Sequence, residues 1–137
     1  MTAMCSTHEV SLSEMPLVCS LTGQGRRPNI LVVCSDTDVR PAFERVRDVL
    51  ETPFSMCLLP GPLDLPASER GTLFLHDIAV LTLSQQITLY DWLGRRGREV
   101  QVVSMTGSEI LPLVETGRFH DGLFYRLNTI STVATRA

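Results

Sequence analysis

Short apolar runs alternate along the chain with segments whose apolar residues recur every three or four positions. Continuous apolar runs are typical of strands buried on both faces, and four occur, at 29–34, 54–59, 72–75 and 100–105. A fifth run, at 129–133, is rich in β-branched residues, which favour strands. Helical spacing predicts helices at 39–50, 82–94, 110–114 and 119–127. Strands separated by helices predict an α/β fold, a three-layer sandwich of about five mostly parallel strands with helices on both faces.

Local signals refine these boundaries. Thr82 and Gln85 have the spacing of a capping box, and Gly94 is placed to end the helix that they begin. Ser108 is a candidate cap for the helix after it. Residues 1–27 are mostly polar, and we interpret them as an N-terminal arm that can hold one short helix, ahead of an α/β domain at 28–137.

Composition narrows the function. The 137 residues carry a formal net charge of -3, so the chain has no overall positive field that would attract DNA. All twelve basic residues are arginine. No apolar run is long enough to span a membrane, and residues 1–14 lack the basic and apolar regions of a signal peptide, so we expect a cytoplasmic protein. The cysteines, with His8, His76 and His120, lack the spacing of zinc ligands, so we predict reduced thiols and no metal site; these cysteines are Cys5, Cys19, Cys34 and Cys57.

Three segments resemble a known family in order and spacing. The family is that of the sigma-54-dependent transcriptional activators. Its GTLFLDEI segment resembles residues 71–78 (GTLFLHDI), and its VRVIAATNRDL segment resembles residues 100–110. Its EGRFREDLYYRLN segment resembles residues 115–128 (ETGRFHDGLFYRLN). The resemblance is specific over about 71–130 and weaker over 28–59. It implies a degenerate, shortened bacterial AAA+/P-loop NTPase-like core that lacks the lid.

The phosphate-binding and Walker B positions depart from that family. Where the family has a glycine-rich loop with a lysine, this chain has Ser35, Asp36, Thr37 and Asp38, whose carboxylates repel phosphate. His76 stands where the magnesium-binding aspartate is expected, and magnesium prefers oxygen ligands. Asp77 stands where a longer glutamate would orient the attacking water. Both sites are therefore interpreted as vestigial.

The positions that would sense and neutralise phosphate also depart. Gly107 aligns with the sensor asparagine. His120 aligns with the first of the family's two intersubunit arginines, and Arg126 with the second. Phosphoryl transfer depends on positioning and charge neutralisation. We therefore predict no catalytic residue and no ATP hydrolysis, hence no cofactor, although weak ATP binding stays open.

The resemblance leaves an interaction role as the main functional hypothesis. Only residues 60–70 lie where the family inserts its sigma-54-contacting loop, and no DNA-binding motif follows. The chain is expected to act as a non-catalytic protein-interaction module in transcriptional regulation. Its partner is expected to be a second copy or an intact sigma-54 activator.

Two other hypotheses start from the same residues. The opening strand and the acidic turn also resemble a response-regulator receiver, with Asp77 as phospho-acceptor near Asp36. However, the lysine that a receiver needs after its fifth strand is absent. Alternatively, His76 and Asp77 could form a catalytic pair, with Cys34 as a nucleophile at a strand end.

Overall fold

The computed structural model of the chain describes residues 7–11, 28–34, 44, 48, 50–95 and 99–135. Six parallel strands form one sheet in the order β1-β6-β2-β5-β4-β3. The strands are β1 (Thr7–Ser11), β2 (Ile30–Cys34), β3 (Phe54–Leu58), β4 (Arg70–His76), β5 (Glu99–Thr106) and β6 (Ile130–Thr135). The described helices are α1 (Leu83–Leu93), α2 (Leu111–Glu115) and α3 (Asp121–Leu127), and a 3-10 turn spans Ile78–Val80.

The parallel α/β fold is confirmed, with one strand more than the sequence predicted. Strand β1 lies within the segment that was interpreted as an arm, and it pairs in parallel with β6 at one edge of the sheet. Its sequence, Thr-His-Glu-Val-Ser, lacks an apolar run, so hydrophobic patterning could not identify it. The short helix predicted before residue 28, and most of the helix predicted at 39–50, lie outside the described residues.

The core lies between one face of the sheet and the three described helices. Alternate strand residues, including Leu31, Leu73, Leu75 and Val102, form one cluster with the helix residues, which include Leu89, Trp92, Leu123 and Leu127. Because strand side chains alternate between faces, Ile30, Val32, Phe74, Val103 and Met105 belong to the opposite face. We call the first of these the helical face of the sheet. Within the described part of the chain, no helix has the length and apolar content that a membrane crossing requires.

Helix ends follow local chemistry in two cases and not in a third. The predicted capping box of α1 is present, with Thr82 and Gln85 bonded reciprocally. The turn after α2 is a Schellman motif: Gly117 has φ 77°, its N–H donates to the Val114 carbonyl, and the Arg118 N–H donates to the Leu113 carbonyl.

The predicted cap at Ser108 is wrong. The N-cap position of α2 is Ile110, which provides no side-chain bond. The backbone N–H of Ser108 instead donates to the Thr106 hydroxyl, and that hydroxyl donates to the Ser108 carbonyl. These bonds hold the backbone of Ser108 in a turn at the end of β5, two residues before the position from which α2 begins.

Gly71 allows the start of β4 to approach the start of β3. It has φ 112°, and a Cβ placed on it would lie 2.3 Å from the Pro53 carbonyl oxygen. The same carbonyl accepts a hydrogen bond from the Thr72 N–H at 3.0 Å. Only glycine fits this close approach, so the glycine that opens the 71–78 segment has a structural role.

Candidate functional site

The carboxyl edge of the sheet brings three of the predicted site residues onto neighbouring strands. Strand β4 ends at His76, which is in register with Met105 near the end of β5. Asp77 and Gly107 follow directly after these two strands. Ligands of open α/β sheets bind outside this edge, so these residues lie where a ligand of such a sheet would bind. Residues Ser35, Asp36, Thr37 and Asp38, which continue from β2, lie outside the described residues.

Asp77 adopts a backbone conformation that is uncommon for a residue with a side chain. Its φ and ψ are 64° and 57°, in the left-handed region that aspartate tolerates better than most residues. It precedes the 3-10 turn, where its carbonyl accepts from the Val80 N–H at 3.2 Å and its side chain makes no capping bond. The turn redirects the chain from β4 towards α1 and leaves the Asp77 side chain half-buried at the sheet edge.

His76 is also half-buried, and its backbone holds β4 beside the end of β3. Its carbonyl accepts from the Leu59 N–H at 3.2 Å. An imidazole and one carboxylate do not make the oxygen-rich ligand set that Mg²⁺ prefers. Among the described residues, no three His, Cys, Asp or Glu side chains come together as a metal-binding group. His76 and Asp77 therefore do not fit a magnesium site, and no step through a metal-bound nucleotide is derived.

Gly107 lies in the tight turn formed by Thr106 and Ser108 and is exposed. Because it has no side chain, it lacks the side-chain amide with which an asparagine at this position would contact a phosphate. After β5, only backbone is therefore exposed at the position where the resemblance to the family implies a sensor asparagine.

Helix α1 is joined to the turn before α3 through a buried amide. Gln86 is 1% exposed, and its Nε2 donates to the carbonyls of Leu81 and Arg118, each at 3.1 Å. Its Oε1 accepts from the His120 N–H at 2.8 Å. All these bonds are made in the interior, where an unpaired polar group is costly. Gln86 therefore fixes the position of the segment that contains His120.

His120 is the N-cap of α3. Its Nδ1 accepts from the Leu123 N–H at 3.0 Å, which assigns this nitrogen as the unprotonated one. The imidazole packs on the ring of Tyr90, with centroids 4.7 Å apart. Gly122 leaves room for this contact, since a Cβ there would lie 2.9 Å from both His120 Cε1 and Tyr90 Cε1. The side chain is thus engaged within the chain in capping and packing.

Arg126 contacts the same tyrosine. Its guanidinium carbon lies 4.3 Å from the centroid of the Tyr90 ring, within the range of a cation–π contact. Its Nη1 donates to the Tyr90 carbonyl at 3.2 Å, near the C-terminal end of α1, where a cation is favoured by the helix dipole. The Arg126 carbonyl accepts from Asn29 Nδ2 at 2.8 Å. Although Arg126 is exposed, its side chain connects α3 to α1, and its carbonyl connects α3 to the residue before β2.

The sequence analysis missed Tyr90 as the residue shared by His120 and Arg126. The sequence predicts Tyr90 only as one residue of the helix at 82–94. The contacts join positions 30 and 36 residues apart in sequence, so no local signal could predict them.

The receiver hypothesis is wrong at the level of topology. In response-regulator receivers, the first strand lies between the second and third strands. Here β2, which was taken as that opening strand, lies between β5 and β6. The enzyme hypothesis lacks a described geometry, because the side chain of Cys34 lies outside what the structure describes.

Comparison with known proteins finds a family whose sequence model matches the chain and solved structures that share its fold. A family model described as the Sigma-54 interaction domain matches residues 37–135. No curated protein sequence matches the chain.

Solved structures share the fold at low identity. NtrX from Brucella abortus in complex with ATP is 16% identical, has a TM-score of 0.62 and covers 94% of this chain. The same protein in complex with ADP is 15% identical, with a TM-score of 0.63 and 97% coverage. The chain spans only 36% of each of those chains. The P-loop NTPase domain of a sigma-54 transport activator from E. coli is 14% identical, with a TM-score of 0.53, and is matched over 77% of this chain and 89% of its own length.

Proposed function

This chain belongs to the Sigma-54 interaction domain family, and we propose that it is a non-catalytic member that acts as a protein-interaction module in transcriptional regulation. Family membership supports a role related to sigma-54 activators. The proposal adds that the chain provides surfaces for binding other proteins and does not hydrolyse ATP.

The observation that supports this proposal most directly is the shared engagement of His120 and Arg126 with Tyr90. These side chains stand at the positions of the two arginines that act across subunits in the family. In this chain, one caps α3 and packs on the tyrosine ring, and the other bonds to the tyrosine carbonyl. Side chains used within one subunit are poorly placed to neutralise a phosphate on another, since each would first lose these contacts.

The chemistry at the carboxyl edge supports the same proposal. His76 and Asp77 replace an oxygen-rich pair, and Gly107 offers no side chain. Transition-state charge in phosphoryl transfer is stabilised by lysine, magnesium and arginine acting together. We propose that nucleotide is not a cofactor of this chain, although a structural relative was solved with ATP.

The turn between α2 and α3 and the outer side of α3 offer a surface for a protein partner. Arg118 and Asp121 are exposed there, and Tyr125 is 50% exposed. Aromatic and arginine side chains are enriched among residues that dominate binding energy at interfaces. We propose that the partner at this surface is an intact sigma-54 activator.

Biolayer interferometry with immobilised chain and a purified, intact sigma-54 activator of the same organism tests this proposal. We expect saturable binding that Tyr125→Ala weakens about tenfold or more, the size of effect typical of a central aromatic contact. Ile87→Ala is the matched control, because Ile87 is similarly exposed, at 54%, but lies on α1. Absence of binding, or equal binding by both variants, would contradict the proposal.

A further inference from the structure

The two helix N-caps with side-chain bonds in the described structure differ in how they respond to protons. In α1, the Thr82 hydroxyl accepts from the Gln85 N–H at 3.1 Å. In α3, the Nδ1 of His120 accepts from the Leu123 N–H at 3.0 Å. A hydroxyl oxygen keeps its acceptor lone pairs near neutral pH, whereas an imidazole nitrogen accepts only while it carries no proton. Histidine is the side chain whose charge ordinarily changes between about pH 5 and 8, so only the cap of α3 is sensitive to pH in this range.

Protonation of the His120 ring would remove this cap. A protonated Nδ1 is a donor and cannot accept from the Leu123 N–H. The cation would also lie at the amino end of α3, where the helix dipole disfavours positive charge. Leu123 is 0% exposed, so the loss of this acceptor leaves a backbone N–H without a partner where water does not easily replace it.

The surroundings of His120 limit how the ring can adapt. Its backbone N–H donates to the buried Gln86 Oε1 at 2.8 Å, which fixes the start of α3 against α1. Its ring packs on Tyr90, with centroids 4.7 Å apart, and the Arg126 guanidinium carbon lies 4.3 Å from the centroid of the same tyrosine ring. A protonated imidazole would therefore place a second cation beside a ring that already contacts one.

The charged residues on the surrounding elements have mixed signs. They are Asp91 on α1, Glu115 on α2, Arg118 in the turn between α2 and α3, and Asp121 and Arg126 on α3. All five are exposed, so solvent and salt screen their effect on the imidazole. The Asp121 carboxylate, which would favour a cation on its neighbour, accepts from the Gly122 N–H at 2.7 Å. The capping bond and the helix dipole therefore determine the response to protonation.

From this geometry we propose that His120 is a pH-sensitive cap, and that proton binding to its Nδ1 releases the amino end of α3. The capped form excludes the proton that the released form binds, so acidification favours release. The capping bond is present at about pH 7.5 and is lost progressively as the pH falls towards about 5.5.

The same end of α3 carries part of the surface that was proposed for an activator. Release of this end would move Asp121 and the turn that contains Arg118, so binding at that surface would weaken on acidification. This consequence rests on the proposed function, whereas the pH-sensitive cap does not.

Amide hydrogen exchange of the full chain, followed by NMR and corrected for the intrinsic effect of pH, tests the cap. We expect the protection of the Leu123 N–H to fall about fivefold or more between pH 7.5 and 5.5, the size of effect typical of losing an N-cap bond. The Gln85 N–H is the internal control, because it holds the same position in α1 and bonds to a hydroxyl. Its protection should be the same at both pH values.

His120→Asn gives the matched variant, because asparagine is a favoured N-cap and its amide does not titrate in this range. The protection of Leu123 in this variant should be independent of pH. His76→Asn removes a histidine at the carboxyl edge of the sheet and should retain the wild-type response at Leu123.

A Leu123 N–H whose protection changes no more than that of Gln85, or a His120→Asn chain that keeps the wild-type response, would overturn this inference. The first comparison uses the unmodified chain, so it does not depend on how well a variant folds. The proposed function is tested separately, since activator binding is measured at pH 7.5 and amide exchange is measured without a partner.

Discussion

Individual side chains in this protein have roles that alignment alone could not assign. The sequence identified His120 and Arg126 as positions of interest, and the structure places both against Tyr90. It also places Gln86 between α1 and the turn that leads into α3. A sequence comparison identifies which residues are unusual. It cannot give their contacts, because these join positions 30 or more residues apart and depend on the packed helices.

At this scale, Gln86 is predicted to be important for stability. Gln86→Ala removes the buried partner of the Leu81 carbonyl and the part-buried partners of the Arg118 carbonyl and the His120 N–H, so the free energy of unfolding should fall by about 2–4 kcal/mol. Urea denaturation followed by circular dichroism measures this change. Ser84→Ala, at an exposed position on the same helix, should change the free energy by no more than about 0.5 kcal/mol. Equal effects of the two substitutions would show that the amide does not connect α1 to α3.

Elements were predicted well where their signals are local. The capping box of α1 depends on two residues three apart, and the strands β2 to β5 are continuous apolar runs, so both were visible in the sequence. Strand β1 was missed because a short polar segment becomes a strand only by pairing with β6. The cap assigned to Ser108 was wrong because the Thr106 hydroxyl holds the Ser108 backbone in a turn and α2 begins only after Ile110.

Two glycines with positive φ provide a prediction at the scale of elements. Gly71→Ala introduces a Cβ that would lie 2.3 Å from the Pro53 carbonyl oxygen, which would separate the starts of β3 and β4. We expect a loss of about 3 kcal/mol or more. Gly117 has φ 77° and nothing within 4 Å of the added Cβ, so Gly117→Ala should cost only the backbone strain, about 1–2 kcal/mol. Thermal and urea unfolding of both variants would measure the difference, and equal losses would contradict the role of the close approach.

The whole molecule has the fold of its family, and we propose that its chemistry is altered at the positions that the family uses for ATP. The sequence predicted the parallel α/β fold because the alternation of strands and helices is long and regular, and the family match supports it over residues 37–135. The residues of the proposed altered site could be named from the sequence alone. Their positions relative to one another follow only from the strand order, which places His76, Asp77 and Gly107 at one edge of the sheet.

ATP hydrolysis by the purified full chain, measured with excess magnesium against a buffer blank, tests the central claim most directly. The account predicts a rate equal to the blank, and the same rate for Asp77→Ala, because we propose that His76, Asp77 and Gly107 do not supply the metal binding and charge neutralisation on which phosphoryl transfer depends. Turnover above the blank that Asp77→Ala abolishes would show that the chain is an enzyme, and would contradict the proposal that it is a non-catalytic interaction module.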